Sequence, residues 1–341
     1  MKPPVFWHDN SDPNHIFSCI LSPLGWLYGA IVQARLKWRC STKVSVPVIC
    51  IGNITMGGTG KTPSVIYLVG VLRNLGYTPH ILTRGYGGNL DGIVQVDPET
   101  HTPSQVGDEP LLLARHAPVW RGRDRVAAAH QAIAAGATII IMDDGLQNPS
   151  LHKDISLAIF DGISQVGNGQ VFPAGPLRQS LKSGLSLIDG AFLLNFDTNE
   201  FQVELATLCV EKKIGDMPHF PGKVQTEARP IKEQKYLAFA GIGVPEKFFK
   251  TLQEQKYAVT RAIPYPDHHI YTQEDLQYLA TIAKKENLRL ITTEKDAIKL
   301  TPSFLEQVDI VKIKLSFIHE KEIIEWFEEK LRGGSCLGDC K

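Results

Sequence analysis

From residue 46 to about residue 200 the chain alternates short apolar, β-branched runs with stretches whose apolar positions recur every three or four residues. The runs cover 46–51, 80–83, 138–142, 155–161 and 191–196, and helical spacing fills 61–75, 109–115 and 123–135. Strands this continuously apolar are buried on both faces, which predicts an α/β fold: a mostly parallel sheet with helices on either side. Residues 210–232 break the pattern with Lys212, Lys213, Pro218, Pro221, Gly222 and Pro230 and read as a linker. Beyond it, an apolar run at 235–240, a helix around 245–255 and a strand at 258–263 predict a second, smaller α/β domain. A helix at 272–286, a strand at 289–292 and a helix at 319–332 complete it. The expected organisation is an N-terminal segment 1–40, a large domain 41–215, a linker around 212–232, a smaller domain 216–332 and a flexible tail 333–341.

Residues 16–34 depart from this alternation because no charged side chain interrupts them. As a helix, they place Ile16, Ile20, Leu24, Leu27, Ile31, Ala34 and Trp38 in one stripe, with Ser18, Ser22, Gly25, Gly29 and Gln33 opposite. Arg35, Lys37, Arg39 and Lys43 follow at once. A membrane span needs about 20 apolar residues, and Pro23 with two glycines makes this a poor one. A helix lying in the membrane interface, with Trp26 and Trp38 at headgroup depth, fits better. A core helix packed on the sheet is the alternative.

Lys and Arg number 36 and balance 36 Asp and Glu, so the chain lacks the basic excess expected of a nucleic-acid enzyme. The six cysteines form no C-x-x-C pair and read as free thiols in a reducing compartment. Residues 1–15 are polar, acidic and proline-bearing rather than a cleavable signal.

The most informative chemistry follows the first apolar run: Gly52-Asn53-Ile54-Thr55-Met56-Gly57-Gly58-Thr59-Gly60-Lys61-Thr62-Pro63. Strand, glycine-rich turn and helix form the context of a phosphate-binding loop, in which backbone N–H groups and the helix N-terminus face a phosphate. Lys61 can reach β/γ oxygens and Thr62 can ligate Mg²⁺, which gives a P-loop NTPase-type domain. Thr55 stands where the pattern asks for glycine. A second apolar strand ends in Asp143-Asp144-Gly145, where a carboxylate can orient the metal. In Gly107-Asp108-Glu109-Pro110, Asp108 either caps the helix beginning near Glu109 or takes a proton from an attacking hydroxyl. Tyr265-Pro266-Asp267-His268-His269 is either a metal-site fragment or a loop whose His reaches across an interdomain cleft to support a base. Thr293-Glu294-Lys295-Asp296 does not fit the guanine-reading [NT]-K-x-D pattern, which argues against GTP.

In order and spacing, loop 52–63, LTRGYGG at 82–88, GDEP at 107–110, DDGLQ at 143–147, FPAGPLR at 172–178, Asp267-His268 and TTEKDA at 292–297 resemble the tetraacyldisaccharide 4′-kinases (lipid A 4′-kinases) of Gram-negative bacteria. The resemblance covers about residue 20 to about residue 330, and the family tolerates a non-glycine residue at 55. It implies transfer of the ATP γ-phosphoryl to the 4′-hydroxyl of a tetraacylated glucosamine disaccharide 1-phosphate, giving lipid IVA. It also implies a peripheral place on the cytoplasmic face of the inner membrane, in keeping with the Mg²⁺ expected at the phosphate loop, and no obligate protein partner is inferred. Mapped here, Thr55, Met56, Gly57, Gly58, Thr59, Gly60, Lys61 and Thr62 would hold ATP, and Thr62, Asp143 and Asp144 the metal. Asp108 would be the base, paired with His268 as in the family's Asp–His dyad, with Lys61 assisting transfer. Arg84, Arg125 and Arg178 are candidate phosphate or substrate contacts, or structural salt-bridge residues. Asn148 replaces a frequent His and Gln179 a frequent Glu. A non-kinase P-loop ATPase or metallochaperone is the alternative, and it leaves 16–34 unexplained.

Overall fold

The computed structural model describes residues 4–7, 15–38, 40–57, 60–162, 165–195, 217–227, 231 and 233–335. The larger sheet contains β1 (Val48–Gly52), β2 (Pro79–Thr83), β3 (Val94–Val96), β4 (Val119–Arg121), β5 (Ile139–Asp143), β6 (Ile155–Asp161), β7 (Gly190–Leu194), β8 (His219–Thr226) and a late strand at Ile313–Phe317. The smaller sheet contains β9 (Lys235–Ala240), β10 (Ala258–Pro264), β11 (Arg289–Thr293) and β12 (Val308–Val311), which makes the late strand β13. The larger order is β13-β8-β7-β6-β1-β5-β2-β4-β3 and the smaller β10-β9-β11-β12. Pairing is parallel except at the two edges of the larger sheet, β13 with β8 and β3 with β4.

β1 lies centrally and alternates its side chains between two cores. Ile49 and Ile51 pack with Val65, Leu68 and Leu72 of helix Lys61–Asn74, while Val48 and Cys50 pack with Ala128, Ala129 and Ala132 of helix Arg125–Ala134. All are buried, and each large aliphatic side chain contributes roughly 1.5–3 kcal/mol by leaving water. β9 splits the second core likewise: Leu237 and Phe239 face Leu279 and Ala283 of helix Gln273–Glu286, and Tyr236, Ala238 and Ala240 face Phe248, Phe249 and Leu252 of helix Pro245–Glu254.

Within the expected linker, 219–226 is not loop but β8, paired to β7 on one side and β13 on the other. Pro221 and Gly222 read as breakers in isolation, but burial of Phe220 against Leu315 and Phe317 overrides that preference. The chain therefore enters the second lobe by β8 and leaves it by the adjacent β13. Helix Glu320–Ser335 returns to the larger sheet, burying Ile323, Phe327 and Leu331, so the sheets do not divide the chain at 215/216. That helix runs through Ser335, a few residues into the expected tail, within the usual spread of helix ends. The remainder of the tail, Phe196 and residues 210–216 lie outside the described residues.

Helix His15–Trp38 runs continuously through Pro23. Its small, polar side faces the protein: Ser18 donates to the Ala174 carbonyl at 2.8 Å, and a Cβ on Gly25 would meet the Val171 carbonyl oxygen at 2.7 Å. Its apolar stripe faces outward, with Ile20 66%, Leu24 54% and Leu27 59% exposed, which excludes the core-helix reading.

Candidate active site

The phosphate loop leaves β1 through buried Asn53. Gly57 and Gly60 hold φ of 119° and 89°, the left-handed region that favours glycine, and a Cβ on Gly60 would lie 2.7 Å from Leu194 Cδ1. Helix Lys61–Asn74 begins directly after Gly60 with no side-chain cap, and its N-terminus is the kind of backbone end that faces an anion. Thr55 needs no glycine, because it lies in extended pairing with Leu177 instead of at a positive-φ turn. That pairing makes the 172–178 segment a wall of the loop: Met56 N–H donates to the Pro176 carbonyl (2.7 Å) and Arg178 N–H to the Ile54 carbonyl (2.8 Å). Gly58 and Thr59 lie outside the described residues.

The two aspartates after β5 differ sharply in environment. Asp144, at φ 51°, is held bidentately by Arg178 (2.7 and 3.0 Å) with Lys61 Nζ at 3.7 Å. Burial alone would raise its pKa, but Lys61 and Arg178 hold it below the usual range. Asp143 is buried, and its Oδ1 has no hydrogen-bond partner among the described residues. Burial, then the Glu109 and Asp144 charges, raises its pKa well above the carboxylate range. A buried, orphaned carboxylate oxygen beside a second carboxylate is the environment a divalent cation relieves. The donor set Asp143, Asp144 and half-buried Thr62 therefore fits Mg²⁺. Arg125 is buried within reach of the Asp143 charge and donates to the Gly122 carbonyl (2.6 Å); burial lowers its pKa to about 10, which leaves it protonated. Arg84 is exposed and adds positive charge beside Arg125.

Asp108 opens helix Asp108–Ala114, whose cap is Gly107, so it is not the N-cap. Its buried carboxylate meets His268 Nδ1 at 3.0 and 2.9 Å, joining the two lobes. Burial would raise the Asp108 pKa, but the His268 hydrogen bond and Lys295 overcome it and hold the carboxyl at about 2. Reciprocally, the Asp108 hydrogen bond raises His268 against burial and Lys295. Tyr86, from the 82–88 motif, places its ring 5.9 Å from His268. The metal-fragment reading of 267–269 fails, because His269 Nε2 is 2.9 Å from Asp275 and stacks on Tyr265. Among the described residues no cluster of three or more His, Cys, Asp or Glu is grouped to hold an ion.

Several site residues escaped the sequence reading. Lys295 Nζ lies 3.1 Å from Glu109 and 3.8 Å from Asp108, linking the Asp108–His268 pair to the Glu109 charge that acts on Asp143. Buried Asp296 accepts from Gly241 N–H (3.1 Å), Lys299 (2.7 Å) and Thr293 Oγ1 (2.7 Å), and Gly241 in turn accepts the His268 N–H (3.1 Å). The motif TTEKDA marked both residues without revealing what they touch. Gln147 donates to the Asn53 carbonyl (3.1 Å) and accepts from Arg178 (3.3 Å), tying the two halves of the site. Gln179 is fully buried, with neither amide atom hydrogen-bonded to any of the described residues.

Comparison with known proteins gives the family. The family model described as Tetraacyldisaccharide-1-P 4′-kinase matches residues 17–332. A tetraacyldisaccharide 4′-kinase of Methylobacterium radiotolerans is 43% identical over 93% of this chain and 95% of its own. That of Nitrobacter hamburgensis is 41% identical over 97% and 98%. A crystal structure of LpxK from Aquifex aeolicus in complex with ATP superposes with a TM-score of 0.73 at 26% identity, covering 92% of this chain and 99% of that one. With its phosphate loop, paired aspartates and interlobe Asp–His contact, the chain belongs to the tetraacyldisaccharide 4′-kinase family.

Proposed function

We propose that this protein transfers the γ-phosphoryl of ATP to the 4′-hydroxyl of a tetraacylated glucosamine disaccharide 1-phosphate, forming lipid IVA in lipid A biosynthesis. The observation that carries this reading is Asp108: a carboxylate kept ionised by His268 and Lys295, in electrostatic contact through Glu109 with the acids beside the phosphate loop. The loop amides, the start of helix Lys61–Asn74 and Lys61 hold the β and γ phosphates. Arg178 fixes Asp144, and Arg125 keeps positive charge beside Asp143. Mg²⁺, held by Thr62, Asp143 and Asp144, would neutralise phosphate charge. Asp108 accepts the hydroxyl proton while His268 orients its carboxylate. A carboxylate this acidic is a weak base, but phosphoryl transfer through a loose transition state asks for little early activation of the nucleophile and much positioning.

The outward stripe of helix His15–Trp38 supports a peripheral site on an acyl-lipid surface, and we assign it to the cytoplasmic face of the inner membrane, where ATP is available. A non-kinase ATPase or metallochaperone is not favoured, since the family match spans both lobes. Labelled ATP with the acyl disaccharide 1-phosphate in detergent micelles tests the reading. Labelled lipid should form, and Lys61→Ala should reduce turnover by several orders of magnitude. Phosphate release without lipid labelling refutes it.

A further inference from the structure

The second lobe meets the first through charged contacts on both flanks of the phosphate loop. On one flank lie Asp108–His268 and Glu109–Lys295. On the other, Lys247 Nζ sits 2.6 Å from Asp161 Oδ2, with the Asp161 side chain only 4% exposed. Asp161 ends β6, the neighbour of β1, and lies three residues beyond the Gly52–Ala158 pairing. It pairs with Leu194 of β7, the residue whose Cδ1 occupies the space beside Gly60. This acid is thus built into the strand ends that support the phosphate loop, yet phosphoryl transfer as derived above does not use it.

Lys247 and His268 hang from one short piece of chain. Helix Pro245–Glu254 begins just after the 241–244 turn. The Gly241 N–H of that turn is fixed by Asp296, and its carbonyl accepts the His268 N–H (3.1 Å) and Lys299 (3.3 Å). A Cβ on Gly243 would lie 3.5 Å from Asp267, so the turn and the histidine loop are packed together. Lys247 and His268 are thus connected through the Gly241 turn. A buried ion pair adds little net stability over an apolar contact of the same size, whereas its short range and direction constrain geometry.

We propose that Lys247, through Asp161, is a positioning residue for phosphoryl transfer: the pair pins the second lobe to the strand beside the phosphate loop, so that His268 reaches Asp108. The inference rests on the kinase reading for its kinetic arm only. Lys247→Met is expected to lower kcat by roughly ten- to a hundredfold, the scale of a small misplacement, with KM for ATP changed less than about twofold. Lys247→Arg should restore most of the rate, and Asp161→Asn should reproduce the loss. The double variant should be no worse than the poorer single, since each removes the same contact.

The second arm needs no substrate. The groups facing His268 are Asp108, Lys295 and Asp267. In ¹⁵N NMR titration, the His268 imidazole of Lys247→Met should titrate lower than in the wild type, because its Asp108 partner is less well placed. A folded Lys247→Met with wild-type kcat and His268 titration overturns the proposal, as do multiplicative losses in the double variant. If Lys247→Met does not fold, folded Asp161→Asn decides the question by the same two readouts. Absence of lipid phosphorylation by the wild type would instead overturn the kinase reading and leave the titration arm standing.

Discussion

Replacing Asp108 by Asn keeps the shape of the side chain and removes its charge, so the consequences follow from what that charge does now. Its carboxyl sits at about 2 against an ordinary value of 3.8. At 1.36 kcal/mol for each pH unit, this depression converts to about 2 kcal/mol of folded-state stability. Because the folded value is depressed, the contribution is complete above pH 3.8 and disappears as pH falls through about 2. Asp108→Asn should therefore be less stable than the wild type by about 2 kcal/mol at pH 7. The difference between the two proteins should shrink by about half on acidification to pH 3. Urea denaturation of both at pH 7, 5 and 3 measures this, and the wild-type-minus-variant difference cancels the carboxylates outside the Asp108–His268–Lys295–Glu109 network. In the same variant His268 loses the partner that raises it, while burial and Lys295 still lower it, so its NMR titration should move down. Turnover should fall by about 10²–10⁴-fold, the scale of a lost general base. A stability difference under about 0.5 kcal/mol, or one constant from pH 7 to 3, refutes the electrostatic argument. Wild-type turnover removes Asp108 from the base role.

Asp296→Ala strands Lys299, whose side chain is 3% exposed, and releases the Gly241 turn; chemical denaturation should show a loss of about 3–5 kcal/mol, and a loss below about 1 kcal/mol would show that the lysine finds water or another partner. Gly60→Ala combines a φ of 89° with a 2.7 Å approach to Leu194, so calorimetric ATP affinity should fall and stability drop by about 1–3 kcal/mol. Introducing Glu at Leu24, Leu27 and Ile31 together alters only exposed positions; the protein should stay folded but cease to float with anionic phospholipid vesicles, and unchanged flotation would place the lipid contact elsewhere.

The larger sheet was legible because its strands are unbroken apolar runs and its helices keep their spacing. Both signals are local, and burial on two faces leaves them little ambiguity. β3, β4, β8 and β13 were not, and the two interior ones show why: Val119–Arg121 is three residues long, and His219–Thr226 carries a proline and a glycine. Each exists because neighbours on both sides offer a ladder, which is information held elsewhere in the chain. The site divides in the same way. The phosphate loop and Asp143 are read from residues whose order in sequence is their order in space. Lys295, Asp296 and Lys247 act on groups more than 50 residues away, and charge at these positions is indistinguishable from surface charge until the lobes are brought together. Asp161 left a usable trace, since like Asp143 it ends an apolar strand beside β1.

Helix His15–Trp38 shows why periodicity could not decide its partner. An amphipathic stripe states that two faces differ, not which one the protein takes. Ordinary packing would bury Ile20, Leu24, Leu27 and Ile31, but here Ser18, Gly25 and Gly29 are buried and the large apolar side chains are left in solvent. Gly25 permits the choice, because any side chain there would strike the Val171 backbone at 2.7 Å. The contacted segment, 171–174, runs directly into residues 176–178, which pair with the phosphate loop. The apolar stripe and the loop are thus ends of one packed unit only a few residues deep. Under the proposed membrane reading, a lipid surface met by the outward stripe would lie one helix diameter from the segment that walls the phosphate loop, which is how a peripheral helix could bring that loop close to a lipid-borne acceptor.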